Sequence, residues 1–214
     1  MKVKIQKIVI TMFGITISYL GAALAAFVNI GQGPVSAFYL SMSNLTGVMM
    51  GTVSIAFQVV FLIGQIIIEK RNFKARQCLQ LLISTYGGLI LNLFLYRVFI
   101  HLTVDTYFLR LLLGIFSYFI NAVGVILVLE AGFVRVPFEG FLQLLAQKNH
   151  QSLGKYKQIS DFVFIFIALL INIIFHQDVT IREGTIISAL IFGPLLNIMR
   201  KPIHMLFMRN EEKL

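Results

Sequence analysis

Residues 29–47, NIGQGPVSAFYLSMSNLTG, carry no charge and lie between two long apolar runs. The Gly-Gln-Gly-Pro turn marks a helix start at Pro34, because proline in the first turn gives up no intrahelical hydrogen bond and has its φ already set. A helix over 34–46 would span only about half a bilayer at ~1.5 Å per residue. It is therefore either a connector lying at a membrane surface or a short helix dipping back into the membrane. Which of the two it is depends on whether the stretch has a partner elsewhere in the chain.

The surrounding composition is that of a membrane protein. The 214 residues are 58% hydrophobic and 13% charged, with a mean hydropathy of +0.87, and no Asp, Glu, Lys or Arg occurs from Ile8 to Ile68. Such a run lies outside the range of soluble domains and fits burial in lipid. The net charge of +9 does not point to nucleic acid, because the basic residues form short clusters between apolar runs, as topology signals do. The single cysteine, Cys78, excludes an intramolecular disulfide and reads as a plain buried or interfacial thiol. The N-terminus, with Ala23 and Ala25 in an A-x-A spacing, imitates a signal peptide. Its apolar run is nevertheless long enough to span and reads as a retained first helix.

Six spans are predicted at about 8–29, 48–68, 78–100, 107–129, 159–176 and 184–199. With the N-terminus inside, only Arg97, Arg110 and Arg182 of the 18 Lys and Arg residues fall outside, and Arg135 and Lys213 join the inner clusters. This bias places both termini in the cytoplasm. Tyr39, Tyr96, Tyr107 and Tyr156 fall near predicted span ends, where interfacial anchoring suits them.

The partner of the opening stretch is AGFVRVPFEGFLQLLAQKNHQSLG, residues 131–154. At an offset of 103, Pro34 meets Pro137, Phe38 meets Phe141 and Ser36 meets Glu139. At 107, Gly47 meets Gly154 and Gln65 meets Asn172. At 105, Gly88 meets Gly193 and Asn92 meets Asn197. The expected fold is an all-α membrane protein in which residues 1–100 and 101–200 form two repeats. Each repeat has three spans, with a Pro-initiated short helix (34–46 and 137–148) after its first span, and 201–214 form a cytoplasmic tail. An odd number of crossings per unit inverts the second unit relative to the first. The short helices would either lie at the interface, which Arg135, Lys148 and Lys155 favour, or tilt inward and aim positive helix starts at a central cavity.

The segment NIGQGPVSAFYLSMSNLTGVMMGT and the last span, GTIISALIFGPLLNI at 184–198, resemble the YczE/YyaS/YitT group of bacterial integral membrane proteins, most closely its YczE branch, over roughly residues 11–200. The resemblance implies the same architecture and a bacterial cytoplasmic membrane, and it names no cargo. The acid this group usually carries after the first Gly-Pro is Ser36 here, whereas Glu139 keeps an acid in the second half.

No acid, Lys, Arg or His falls near the middle of a predicted span, which argues against a midplane carboxylate mechanism. The polar residues inside are Asn29, Gln58, Gln65, Asn92, Asn121, Asn172 and Asn197. Such amides suit either a site for a small polar solute or helix–helix hydrogen bonding. Gly33, Pro34, Ser36, Pro137 and Glu139 mark the re-entrant or hinge segments, and Gly87, Gly88, Gly193 and Pro194 are further hinge positions or close-packing points. Nucleophile elbows, metalloprotease motifs and phosphate loops are missing from the sequence, and the four histidines are scattered, so neither an enzyme nor a metal or cofactor site is expected. The expected function is that of a transporter or permease-like protein for a small polar solute, with the lipid bilayer and a homodimer or energising partner as its associations. A substrate-binding subunit of a multi-component transporter and an accessory protein for another membrane protein are the alternatives.

Overall fold

The computed structural model describes residues 2–133 and 136–211. The predicted inner charges Arg135 and Lys213 lie outside the described residues. The fold is a bundle of helices, with no strand among the described residues. Its elements are α1 (Lys2–Val28), α2 (Pro34–Thr46), α3 (Met50–Glu69), α4 (Leu79–Leu93), α5 (Tyr107–Ala131), α6 (Pro137–Lys148), α7 (Leu153–Ile174) and α8 (Glu183–Glu211). Six stretches, all but the short α2 and α6, are long and apolar enough to cross a membrane, and large apolar side chains such as Val60, Leu82, Phe162 and Ile186 project from them, as a lipid-facing surface would have them. The chain is therefore a multi-pass membrane protein by length and composition.

Local chemistry sets most of the boundaries. Both short helices begin at proline, and α2 ends on Gly47 in the left-handed conformation, whose N–H bonds Ser43 O. That close satisfies an otherwise orphaned carbonyl without Cβ strain. α4 is prolonged by a π turn, Phe94–Val98, and a 3-10 turn, Phe99–His101. α7 begins at Leu153, earlier than the predicted 159, because Ser152 Oγ caps it by accepting from Lys155 N. α8 runs unbroken through Pro194 and Pro202, so residues 201–211 continue the last helix.

At the centre α1 and α5 lie antiparallel and in close contact. Gly14 abuts the Gly124 carbonyl and Gly21 abuts Ser117, while Gly21 also meets Asn121 and Gly124 meets Ser18. Each of these contacts becomes its companion when 103 is added to the α1 number and subtracted from the α5 number. Asn121 Nδ2 donates to Ser18 O at 3.2 Å, a pair that maps onto itself. Small residues on both faces let the backbones approach, which is the main source of helix attraction when lipid is as apolar as the side chains.

The remaining helices surround this pair, with α4 packed on α1 and α8 on α5, α6 on α3 and α2 on α7, and α2 also on α3 and α6 also on α7. The starts of α2 and α6, and of α3 and α7, are likewise 103 residues apart (34 and 137, 50 and 153). One pairing has no counterpart, since α3 packs along α4 whereas α7 and α8 show no comparable contact among the described residues. At the end of the bundle that holds the α1 start, Glu130 of α5 accepts from Arg200 Nε of α8 at 2.8 Å and meets His204 Nδ1 at 2.6 Å. Two expectations about side chains change. Tyr39 is a core residue rather than an interfacial anchor, and Cys78 is exposed.

Candidate functional site

The start of α6 docks against the middle of α3. Phe138 N donates to Gln58 Oε1 at 3.0 Å, and Gln65 Nε2 donates to Pro137 O at 2.7 Å and to Gln80 Oε1 at 3.2 Å. Gly140 leaves room for the Gln65 amide. With ~1.5 Å of rise per residue, Gln58 lies about 12 Å from one end of α3 and about 16 Å from the other. The first turn of α6 therefore sits level with the middle of a span-length helix. Glu139 falls in that first turn, on a short helix outside the predicted spans. Tyr19 of α1 lies near Ser54 of α3 and Glu139 of α6.

A charged pair on α7 lies further along its helix than its sequence position suggested. Because α7 begins at Leu153, Asp161 falls near the middle of the helix, with Lys157 Nζ 3.2 Å away and also 5.0 Å above the Phe138 ring. An aromatic cluster fills the space between the two halves at this level. Phe61 and Phe164 meet edge to face at 6.3 Å, Phe61 meets Phe141 at 5.7 Å, and Phe38 meets Phe164 at 5.1 Å. The last two contacts exchange at the same offset of 103.

The start of α2 is held by its linker. Gly31, with φ at 110°, is packed against Thr185 at the start of α8, a conformation that suits glycine. Gly184 N donates to Ile30 O at 2.8 Å. The Tyr118 hydroxyl lies 3.0 Å from Gly31 O and 2.8 Å from Gly184 O, able to donate to one at a time. Gln32 is 2% exposed, and neither its Nε2 nor its Oε1 has a hydrogen-bond partner. Next to it Gly33 borders open space.

The structure does not gather the seven amides into one site. Gln58 and Gln65 serve the start of α6. Asn92 Oδ1 accepts from Gly51 N at 2.8 Å and its Nδ2 donates to Thr52 Oγ1 at 3.0 Å, tying α4 to the start of α3. Asn172 Nδ2 donates to Thr180 Oγ1 at 3.1 Å, and Thr180 also meets Ser41 Oγ at 2.7 Å. Asn29, exposed at the end of α1, lines a pocket of about 330 Å³ together with Asp105 and Arg110, and its carbonyl accepts from Arg182 Nη1 at 2.9 Å. Asn121 joins α5 to α1, and Asn197 is exposed on α8. Gly87 lies under the Tyr19 ring and Gly88 against Gly51 and Ile55, so in this structure both are packing points within an unbroken helix. Gly193 borders open space and Pro194 lies within continuous α8.

The residues that sequence reasoning passed over are Gln32, Tyr19 and Tyr118. Gln32 stands inside the Gly-Gln-Gly-Pro turn, where its setting between two glycines was the available signal. The tyrosines have no local signature, since their partners are distant in sequence. No cluster of three or more metal-ligating side chains occurs among the described residues.

No curated protein and no solved structure matches the chain. A family of unknown function, DUF6198, matches residues 5–201, and the chain belongs to that family.

Proposed function

We propose that the protein is a permease-like carrier for a small polar solute, built as an inverted repeat and set in a bacterial cytoplasmic membrane, as the resemblance to the YczE branch implies, with both termini inside, as the Lys and Arg bias implies. The observation that carries this reading is the docking of the α6 start at the middle of α3. Half-length helices with starts at mid-height are the usual device for presenting backbone N–H groups to a solute inside a bilayer. Irregular backbone at that depth is tolerated only where protein or water covers it, which the Gln58 and Gln65 bonds and the Tyr118 contacts supply at the two linkers. The exchange of contacts at an offset of 103 supports the repeat, and the antiparallel α1–α5 pair is what inversion requires.

The test is a thermal-stability screen of the purified protein against small polar metabolites, followed by uptake of any hit into proteoliposomes. The expected result is saturable stabilisation by one chemical class, about 2.7 kcal/mol at 100 times the dissociation constant, with uptake that saturates over the same range. Stabilisation without uptake, together with copurification of a stoichiometric ATPase, would turn the reading to a substrate-binding subunit. Silence across the library would turn it to an accessory protein.

A further inference from the structure

The two short helices begin alike in sequence but not in what surrounds their starts. The start of α6 is supplied with acceptors, because Gln58 Oε1 takes the Phe138 N–H and Glu139 stands in the first turn. Both complement the positive end of the helix. The start of α2 has neither. Its first turn carries no acid and its N-cap, Gly33, has no side chain to offer. The residue 103 beyond Gln58 is Asp161, and that carboxylate is paired with Lys157. Pro34 has no N–H and Ala37 N is bonded to Gly33 O, which leaves the Val35 and Ser36 N–H groups at the open end of the helix.

A second observation is independent of the helix end. The Gln32 amide, adjoining the N-cap, is buried with both polar atoms unpartnered, and leaving such a group unsatisfied is costly. The neighbouring Gly33 opens onto free space. A donor-rich helix end bordering free space at Gly33 and an unused buried amide one residue before its N-cap together describe a place for an anionic oxygen group with a donor attached.

We infer that the start of α2 binds the carboxylate of a small solute, taken by the Val35 and Ser36 N–H groups and Gln32 Nε2, while Gln32 Oε1 accepts from a hydroxyl or amino group of the same solute. This rests on the carrier reading and names its substrate class. The α6 start, filled by Gln58, serves as the protein's own picture of the occupied state.

Lactate and alanine, compared with lactamide and alaninamide at matched ionic strength, provide the test by thermal stability. At least one carboxylate should raise the melting temperature saturably and its amide should not. Gln32→Leu should abolish that shift, or weaken half-saturation at least tenfold, while the ligand-free protein melts no lower than wild type. Ser36→Glu, which gives α2 the acid that α6 has in Glu139, should stabilise the ligand-free protein and also abolish the shift. It carries the test if Gln32→Leu does not fold. An undiminished carboxylate shift in either folded variant overturns the site. So does a screen in which only solutes without a carboxylate stabilise the protein, an outcome that leaves the carrier reading standing. Silence from every solute overturns both.

Discussion

Helices α3 and α4 of the first half close on each other, whereas α7 and α8 of the second half do not. In the closed pair Gly51 and Gly88 meet backbone to backbone, and Asn92 bonds the start of α3. In the open pair Gly154 stands 103 residues beyond Gly51, and not opposite Gly47 as its order in the sequence suggested, while Gly193 and Asn197 stand 105 beyond Gly88 and Asn92. Nothing lies within 4 Å of a Cβ placed on either glycine, and Asn197 is exposed. The same three residue types thus hold one pair of helices together and leave the other apart. The chain carries the means of closing both, so the difference lies in the arrangement of the helices and not in the motif. On the carrier reading proposed above, such a difference between the halves would open the site to one side at a time.

The largest expected effect comes from exchanging the glycines. A Cβ at Gly88 would stand 2.5 Å from Ile55 Cγ1 and 2.6 Å from Gly51 O. Gly88→Ala should therefore destabilise by ~1–3 kcal/mol, the usual cost of overpacking. Gly193→Ala meets open space inside a helix and should stabilise by up to ~1 kcal/mol through helix propensity. Reversible unfolding in detergent measures both. Equal losses at the two sites would mean that α8 rests on α7 in solution, and the comparison would fail.

Next in size is the contrast between the two helix starts. Gln65→Leu strips Pro137 O and Gln80 of a buried partner and should cost ~1–3 kcal/mol. Gln32→Leu removes an amide that bonds nothing and should cost nothing or raise stability. A loss at Gln32 equal to that at Gln65 would show that the amide has a structural partner. Smaller again is the asparagine pair. Asn92→Ala gives up two hydrogen bonds and should lose roughly 1 kcal/mol, whereas Asn197→Ala, exposed, should stay within about 0.5 kcal/mol of wild type. A loss at Asn197 matching that at Asn92 would again place α8 against α7.

The features legible in the sequence were those with local causes. The bounds of the short helices, 34–46 and 137–148, were fixed by proline starts that set φ and remove a donor at the one place where neither matters. The offset of 103 was legible at the two short helices, where Pro34 and Phe38 stand in the same order as Pro137 and Phe141, whereas the offsets of 105 and 107 read elsewhere differ from it. Depth was not legible. Nothing within PFEG says that Phe138 will reach Gln58, and hydropathy placed the α7 start too late because Lys155, Lys157 and Asp161 depress it. The Ser152 cap was the stronger signal. Tyr39 looked like an anchor by its place in the chain and became core because α2 folds inward onto α7. The amides were visible as polar residues in apolar runs, but whether each served packing or a solute depended on partners tens of residues away.

The smallest expected effect concerns the far end of the open half, where Arg200 and His204 of α8 hold Glu130 of α5. This contact fixes α8 to α5 while α8 stands clear of α7, so it bears on which arrangement the second half adopts. The Arg200 side chain is 63% exposed and that of Glu130 only 7%, so water screens the cation and the pair alone is worth at most ~1 kcal/mol. Arg200→Ala should accordingly barely move global stability. Its effect should fall on the distance between the helices, read by paired spin labels on α7 and α8, because a small change in coupling can shift a balance between two arrangements without unfolding either. A change in the distance distribution with stability unaltered would mark the Glu130 contact as a latch for the open half. An unchanged distribution would leave it a surface ion pair, and the cause of the gap would have to be sought in the packing of α2 on α7.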